Sequence, residues 1–310
     1  MMKNLQEQRA FQELEVRIKT ILPEEYQDSY DDVLPVSMGS AALKYGTDLK
    51  VEWNEIWTTF CDRAMAGGPP HKGTLLEPGS RAEIGAQPGL YRQAVEEICR
   101  GVDMVTGLAA EQSPTPGWVR VECVSHGMAG WLLRAIVMEN VSARGEGSSL
   151  LLPAGPGYRL EKEIRNVITA IAKAFHYWIE HMGKVQQRLI ATLFEEMAAE
   201  WPLVQPALAG GGDFQEALQQ TQGGKMTEAI GQATGLRPSS HQYVNWLGLN
   251  CPDVRSAIWM TRAMVASNVL SRREETVLFV PVNPASDPHG ETVVRLVVRT
   301  HGFAAARHIL

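Results

Sequence analysis

The sequence lacks the features that mark several large classes of protein. It has only four cysteines in 310 residues, and no two of them form a C-x-x-C pair. A chain of this size with scattered cysteines is not expected to depend on a disulfide framework. No apolar run approaches the roughly 18 residues of a membrane span, and the N-terminal segment has a charged amphipathic pattern rather than that of a signal peptide. These absences predict a cytoplasmic protein with no membrane partner.

An excess of positive charge and the common nucleotide or nucleophile motifs are missing as well. The net charge of −6 argues against a generic nucleic-acid-binding surface, so no nucleic-acid partner is predicted. The chain contains no G-x-G-x-x-G, no G-x-x-x-x-G-K-[ST] and no G-x-S-x-G motif. The sequence therefore identifies no cofactor and leaves open whether the protein is an enzyme.

An internal repeat is the strongest feature that is present. A shift of 128 positions aligns residues 97–156 with residues 225–284 without a gap, and 17 of the 60 aligned positions are identical. Several of the identical residues belong to rare or polar types: Trp118, Cys123, Trp131, Arg134, Asn140 and Arg144 match Trp246, Cys251, Trp259, Arg262, Asn268 and Arg272. This set in a single register predicts an internal duplication.

Each repeat has the pattern of a strand, a helix and a second strand. "GWVRVEC" and "NWLGLNC" are β-type runs, and "SSLLLPAG" and "TVLFVPVN" are apolar runs that stop near proline. Between them, "HGMAGWLLRAIVMENVSAR" and "PDVRSAIWMTRAMVASNVLSR" have helical periodicity. The short connection after the helix predicts a βαβ unit with a right-handed crossover. We expect an α/β fold of two pseudo-symmetric α-β-α-β-α halves, or alternatively an α+β fold of ferredoxin-like units.

Three segments make up the predicted domain organisation, with one compact pseudo-twofold domain as the alternative. They are an N-terminal helix and hairpin segment in 1–53, a first repeat half in 54–184 and a second repeat half in 185–310.

Local patterns add four expectations to this organisation. A hairpin is expected around Gly46–Asp48, and loops are expected at residues 109–117 and 220–224, where glycine, proline and polar residues gather. Residues 291–308 are rich in β-branched residues, yet they align with a helical segment that contains Glu161. We therefore predict a helix there, against local propensity.

The polar residues within the duplicated helical segment form the first candidate site. At about 100° per residue, Arg134 falls between Val141 and Met138 on an otherwise apolar face. A buried arginine needs a partner, and two interpretations stay open: internal carboxylates and helix-end carbonyls, or an anionic ligand bound bidentately. The second interpretation predicts a site for an anionic small molecule or cofactor near the interface of the two halves, formed by Arg134, Asn140, Arg144, Arg262, Asn268 and Arg272.

Other candidate residues lie mainly in the first half. Gly155 and Gly157, in "PAGPGYRLEKEI", lie before a predicted helix and could contact an anion, although a plain turn is the alternative. The catalytic candidates are His71, Lys72, Cys123, His126 and His176. No metal site is predicted: Cys123 and His126 have no second pair nearby. His176 and Glu180 are one helical turn apart, whereas His181 is expected to lie off their face.

Three functional classes remain open at this stage. The first is a protein that binds an anionic small molecule near the interface of its halves. The second is an interaction or assembly factor, which includes a homo-oligomer. The third is an enzyme with a single diverged active site in the first half, because His126, Gly155 and Gly157 have no counterparts in the second repeat.

Overall fold

The computed structural model describes residues 2–28, 43–55, 74–208, 213–241 and 243–310. The chain divides into two compact units. One, which we call the central unit, comprises Leu34–Arg188, and the other, the terminal unit, comprises Met1–Val33 and Leu189–Leu310. In the described ranges each unit has one four-stranded antiparallel sheet together with helices, so the chain is mixed α and β. None of the helices described is both long enough and apolar enough to span a bilayer.

The elements follow one another in a similar order in the two units. The chain starts with α1 (Met2–Ile21) and α2 (Glu24–Gln27) of the terminal unit. The central unit then has α3 (Arg81–Ala86), α4 (Pro88–Thr106), β1 (Ala110–Gln112), β2 (Trp118–Glu122), α5 (His126–Met138), β3 (Arg144–Glu146), β4 (Ser149–Pro153), the π-helical segment π1 (Leu160–Ile164), α6 (Arg165–His176) and the π-helical segment π2 (Tyr177–His181). The remaining elements are α7 (Lys184–Glu200), α8 (Asp213–Thr234), β5 (Arg237–Pro238), β6 (Trp246–Asn250), α9 (Val254–Val265), β7 (Arg272–Glu274), β8 (Val277–Pro281) and α10 (Glu291–Ala306).

The pairing of the strands corrects the predicted βαβ crossover. The strand orders are β1-β2-β4-β3 and β5-β6-β8-β7, and every neighbouring pair is antiparallel. After α5 or α9 the chain forms a short edge strand and returns through a two-residue loop into the middle of the sheet. Gly147 and Glu275 begin these loops with φ of 63° and 49°, a backbone region typical of tight hairpins. The second predicted strand of each repeat is therefore one arm of a hairpin.

The predicted helical segments of the two repeats are shorter than expected. We predicted helix as far as Arg144, but α5 ends at Met138. In the second repeat α9 ends at Val265. An asparagine follows each end in the left-handed region, with φ of 57° at Asn140 and 59° at Asn268. Asparagine adopts this conformation more readily than most residues, and it stops a helix.

Of the other local expectations, the helix and the hairpin are present, whereas the two loops differ from the prediction. The helix predicted for residues 291–308 is confirmed as α10. The hairpin around Gly46–Asp48 is also present, because Tyr45 and Val51 form an antiparallel bridge. The loop predicted at 220–224 is wrong, since these residues lie inside α8. The loop predicted at 109–117 is interrupted by strand β1, which pairs with β2.

The core of the terminal unit joins one face of its sheet to four helices. Leu247 and Leu249 of β6 and Leu278 and Val280 of β8 alternate along their strands and belong to one buried cluster. The helical residues of the cluster come from α1, α8, α9 and α10, including Phe11, Leu14, Ile18, Met226, Ile230, Trp259, Leu296 and Val297. Burial of each large side chain stabilises the fold by about 1.5–3 kcal/mol, so α1 is an integral part of this unit.

Candidate functional site

The matched arginines Arg134 and Arg262 lie within α5 and α9, and each is only 4% exposed. The Nη1 atom of Arg134 donates a hydrogen bond of 2.8 Å to the carbonyl oxygen of Gly130, one turn earlier in the same helix. Burial lowers the pKa of Arg134 to about 9, because a charged guanidinium is costly to remove from water. This side chain therefore interacts with the backbone of its own helix.

Asn140 and Asn268 connect the helix ends to a preceding segment of the chain. The backbone carbonyl of Asn140 accepts a hydrogen bond from the Leu76 amide at 2.8 Å, and that of Asn268 accepts one from the Val204 amide at 3.1 Å. The Nδ2 atom of Asn268 also donates to the carbonyl of Trp201 at 2.9 Å. Both asparagines are buried, and these contacts account for their place in the fold.

Arg144 and Arg272 are the first residues of the edge strands β3 and β7. Arg272 is fully buried, and its Nη1 atom forms an ion pair of 2.7 Å with Oε1 of Glu274. Its guanidinium carbon lies 4.1 Å from the ring centroid of Phe279 and 4.4 Å from that of Tyr243. Burial lowers the pKa of both arginines. In the terminal unit, a carboxylate and aromatic rings thus stabilise the positive charge of the Arg272 guanidinium.

The remaining candidates from the sequence do not form a common cluster among the described residues. Gly155 packs closely on another backbone segment: an added Cβ atom would lie 3.1 Å from the Gly79 amide nitrogen. Gly157 follows it in an exposed turn. Cys123 is buried, and burial raises the pKa of its thiol to about 12, so it is not a thiolate near neutral pH. His126 is an exposed first residue of α5, and His71 and Lys72 lie outside the described residues.

A cleft of about 530 Å³ lies in the terminal unit, between α8 and the start of β6. Its lining is mainly aromatic, aliphatic and amide-bearing, and consists of Gln220, Gly223, Gly224, Thr227, Tyr243, Val244, Asn245, Trp246, Leu247 and Val282. None of these described lining residues is charged. Val244 is 54% exposed at the cleft. Apolar walls with a few polar groups are typical of sites for small organic molecules.

Two adjacent glycines form part of the α8 wall of this cleft. Gly223 and Gly224 lie in the interior of a 22-residue helix, where each glycine destabilises the helix by about 1 kcal/mol relative to alanine. Apart from the adjacent residues and the nearby backbone of α8 itself, no described atom lies within 4 Å of a Cβ built at either position. Neither glycine is thus required by a close neighbour or by a positive φ. Their effect is to leave the wall bare and the cleft wider.

Hydrogen bonds fix the walls of the cleft. On α8, the Nε2 atom of Gln222 donates to the backbone carbonyl of Asp287. On the opposite side, the Nδ2 atom of Asn245 donates to the carbonyl of Ala207 at 2.9 Å, and the Asn245 carbonyl accepts from the Val282 amide at 2.8 Å. Tyr243 stacks on His241 with ring centroids 4.6 Å apart. The concave surface is therefore held in shape by contacts within the protein.

The sequence interpretation missed this cleft because its residues belong to no motif. One signal was available: the helical pattern of residues 213–234 continues on both sides of the glycine pair, so these glycines could have been assigned to a helix. The aromatic wall depends on the turn at Tyr243–Asn245, in which Asn245 has φ of 65°. That turn and its packing on α8 are tertiary features that periodicity does not reveal.

A second cluster contains His176 and a residue that was expected to lie elsewhere. The Nε2 atoms of His176 and His181 are 3.3 Å apart, which corrects the expectation that His181 lies off the face of His176. The reason is π2: in a π-helix residues five apart are hydrogen-bonded neighbours along the axis, whereas α-helical geometry would separate them by about 140°.

Comparison with known proteins gives no family to which these sites could be assigned. No family model matches the chain, and neither the curated proteins nor the solved structures contain a match. The candidate sites are thus characterised by their own geometry alone.

Proposed function

We propose that the terminal unit binds a small, uncharged organic molecule in the cleft between α8 and β6. The observation that carries this proposal is the pair Gly223 and Gly224. They destabilise the interior of a helix, no described neighbour requires them, and they border the cleft. A ligand that occupies the space beside α8 would account for them, because proteins commonly accept lower stability at functional sites.

The lining residues indicate the chemical class of the ligand. Tyr243 and Trp246 offer aromatic surface for a planar group, and Leu247 and Val282 offer aliphatic surface. The hydroxyl of Thr227, together with the amides of Gln220 and Asn245, can form hydrogen bonds that orient a polar substituent. Since the described lining carries no charge, a neutral ligand fits it better than the anion expected from the sequence.

The arginine-based alternative has weaker support. Arg272 lies 5.2 Å from the ring centroid of Trp246, a cleft residue, but its guanidinium is fully buried and pairs with Glu274. An incoming anion would have to compete with that carboxylate and would have to be desolvated. We therefore assign Arg272 to the support of the aromatic wall rather than to contact with the ligand.

A fragment-binding experiment tests the proposal. Saturation-transfer-difference NMR with a library of neutral aromatic fragments would be run on the full chain and on Gly224→Leu, which fills the cleft from α8. We expect a subset of fragments to bind the wild type and to lose binding in Gly224→Leu. The matched control is Gly302→Leu, at an exposed glycine of α10 outside the cleft whose Cβ would also meet open space. Equal binding to Gly224→Leu and wild type would contradict the proposal.

Stability provides a second readout on the same residues. Gly223→Ala and Gly224→Ala should each raise the free energy of unfolding by up to about 1 kcal/mol, because alanine is the better helix former. Both substitutions should also weaken fragment binding. Urea denaturation measures the first effect and the NMR titration the second. A Gly224→Ala variant that is more stable and binds fragments as well as the wild type would remove the reason given for the glycines.

We also infer that the two units descend from one ancestral unit. Beyond the sequence matches, the two sheets have the same strand order, and the matched asparagines have the same left-handed conformation. Each asparagine precedes a matched parallel bridge, Leu76 with Val141 and Val204 with Val269. Experimental structures of both units should superpose with residues 118–156 on residues 246–284, and superposition in a different register would contradict the inference.

A further inference from the structure

The π2 segment places two imidazoles at the end of α6 in a chelating arrangement. The Nε2 atoms of His176 and His181 are 3.3 Å apart, and the ring centroids are 5.1 Å apart with an interplanar angle of 71°. Both side chains are half-buried and so remain open to solvent. π-Helical turns are rare and occur often at functional sites, and this one brings two imidazoles together.

The distances match those of two imidazole ligands on one metal ion. Two nitrogens at about 2.0–2.1 Å from a tetrahedral ion lie about 3.3–3.4 Å apart, with imidazole centroids about 5.2 Å apart. A straight N–H···N hydrogen bond with the same separation of the nitrogens would place the centroids about 5.6 Å apart. The observed 5.1 Å is closer to the separation expected for two ligands of one ion than to that of a straight hydrogen bond.

The surroundings of the pair hold it in this geometry. Tyr177, which is buried, stacks on the ring of His181 with centroids 4.6 Å apart and an interplanar angle of 27°. Trp178 packs against Trp131 of α5, with ring centroids 5.9 Å apart. Gln187 caps the end of π2: its Nε2 atom donates hydrogen bonds to the carbonyls of Trp178 at 2.6 Å and of Met182 at 3.0 Å. Ligands held in place before metal binding lose less conformational entropy when the ion arrives.

We propose that His176 and His181 bind one divalent transition-metal ion that favours imidazole nitrogen, with Zn²⁺ as the representative ion. Both rings bind the ion through Nε2 as neutral imidazoles: the donor ring gives its Nε2 proton to water and takes one up at Nδ1, so no net proton is released. Water completes the coordination of the ion. Imidazole suits zinc, copper and nickel, whereas calcium and magnesium prefer oxygen. Among the described residues no group of three or more histidine, cysteine, aspartate or glutamate side chains could hold a metal. With two protein ligands, the bound ion keeps positions open to exchangeable ligands.

Calorimetry with ZnCl₂ tests the site on the full chain after its metals have been stripped with a chelator. We expect one equivalent of Zn²⁺ to bind the wild type, with the affinity lowered more than about 10-fold in His176→Gln and in His181→Gln, since each variant removes a direct ligand. The control is His126→Gln, at an exposed histidine of the same unit, which should bind like the wild type. Absence of binding to the wild type, or equal binding to all four proteins, would overturn the proposal.

Thermal unfolding with and without Zn²⁺ guards against misfolded variants. A metal that binds only the folded chain raises the Tm by mass action. The ion should therefore raise the Tm of the wild type and of His126→Gln, and it should leave His176→Gln and His181→Gln unchanged. If the pair were only a structural contact, the two variants would have a lower Tm in the absence of metal and Zn²⁺ would shift none of the four proteins. The cleft lies in the other unit, so failure of either proposal leaves the other intact.

Discussion

A left-handed asparagine ends a helix in each unit, and its conformation explains its place among apolar residues. The left-handed region costs most residues about 1–2 kcal/mol of conformational free energy, whereas asparagine and glycine adopt it more readily. Asn140 and Asn268 turn the chain from the helix towards the edge strand. Their carbonyls meanwhile bind the segment that bridges to Val141 or Val269. The polar residue is thus needed for backbone reasons and requires no ligand.

Substitutions at Asn268 separate the two contributions of this residue. Asn268→Gly keeps the left-handed backbone but loses the hydrogen bond to Trp201, which contributes about 0.5–1.5 kcal/mol. Asn268→Ala loses that bond and also strains the backbone, so it should be less stable than the glycine variant by about 1 kcal/mol. Urea denaturation of both variants measures the difference. Equal stability of the alanine and glycine variants would show that the conformation of residue 268 is not constrained.

At the scale of the element, the start of α9 carries a pH-sensitive contact. Asp253 is the N-cap of this helix, and its Oδ1 atom accepts hydrogen bonds from the amide and the hydroxyl of Ser256 at 2.7 and 2.6 Å. The side-chain hydrogen bond from Ser256, followed by the backbone one, lowers the pKa of the Asp253 carboxyl. The ionised form therefore stabilises the fold above the unfolded-state pKa of about 4, and this contribution is lost as the pH falls through the lowered pKa.

The variant Asp253→Asn tests this contact, because asparagine still caps a helix but carries no charge. We expect the wild type to be more stable than the variant at pH 7 and the gap to shrink as the pH falls below about 4. Urea denaturation across that range measures it. Ser125 caps α5 with a neutral hydroxyl, so the gap between Ser125→Asn and wild type should change little with pH. A constant gap for Asp253→Asn would contradict the assignment.

Individual elements also differ in how well the sequence predicted them. The strands β2, β4, β6 and β8 were located correctly from two patterns. In β2 and β6 apolar residues alternate with other residues before a cysteine, and β4 and β8 are largely apolar runs that end at a proline. The edge strands were missed: β3 and β7 are three residues long and carry arginine and glutamate, so neither alternation nor hydrophobicity marks them. Without them the sheet appeared parallel. π2 was also missed, since an α-helical period separates His176 from His181, and the cleft depends on contacts between distant segments.

At the scale of the whole molecule, helix α1 packs in the same unit as α10, although most of the described chain separates them. The ring of Phe11 stacks on Trp259 of α9, with centroids 6.4 Å apart, and meets Phe303 of α10 edge-on at 5.5 Å. The guanidinium of Arg307 lies 4.0 Å from the Phe11 ring centroid. These contacts place Phe11 between α9 and α10, so they join α1 to both helices within the terminal unit.

Phe11→Ala should therefore destabilise one unit selectively. Loss of a buried phenylalanine side chain typically costs about 3–5 kcal/mol. Hydrogen exchange followed by mass spectrometry should show faster exchange in α9 and α10, with exchange in β2 and β4 unchanged. Val16→Ala, at a residue of the same helix that is 64% exposed, should have an effect within about 0.5 kcal/mol. Faster exchange in β2 and β4 as well would show that the units unfold together.

The position of α1 also sets an order of events during synthesis on the ribosome. Nascent chains emerge from the N-terminus, and domains fold as units when their residues become available. The central unit can fold once Arg188 has emerged, but α1, made before that unit, must wait for α9 and α10, which are made after it. Throughout that interval Phe11, Leu14 and Ile18 have no core to enter. A ribosome stalled before residue 254 should carry a folded central unit and an α1 whose apolar face is open to chaperones.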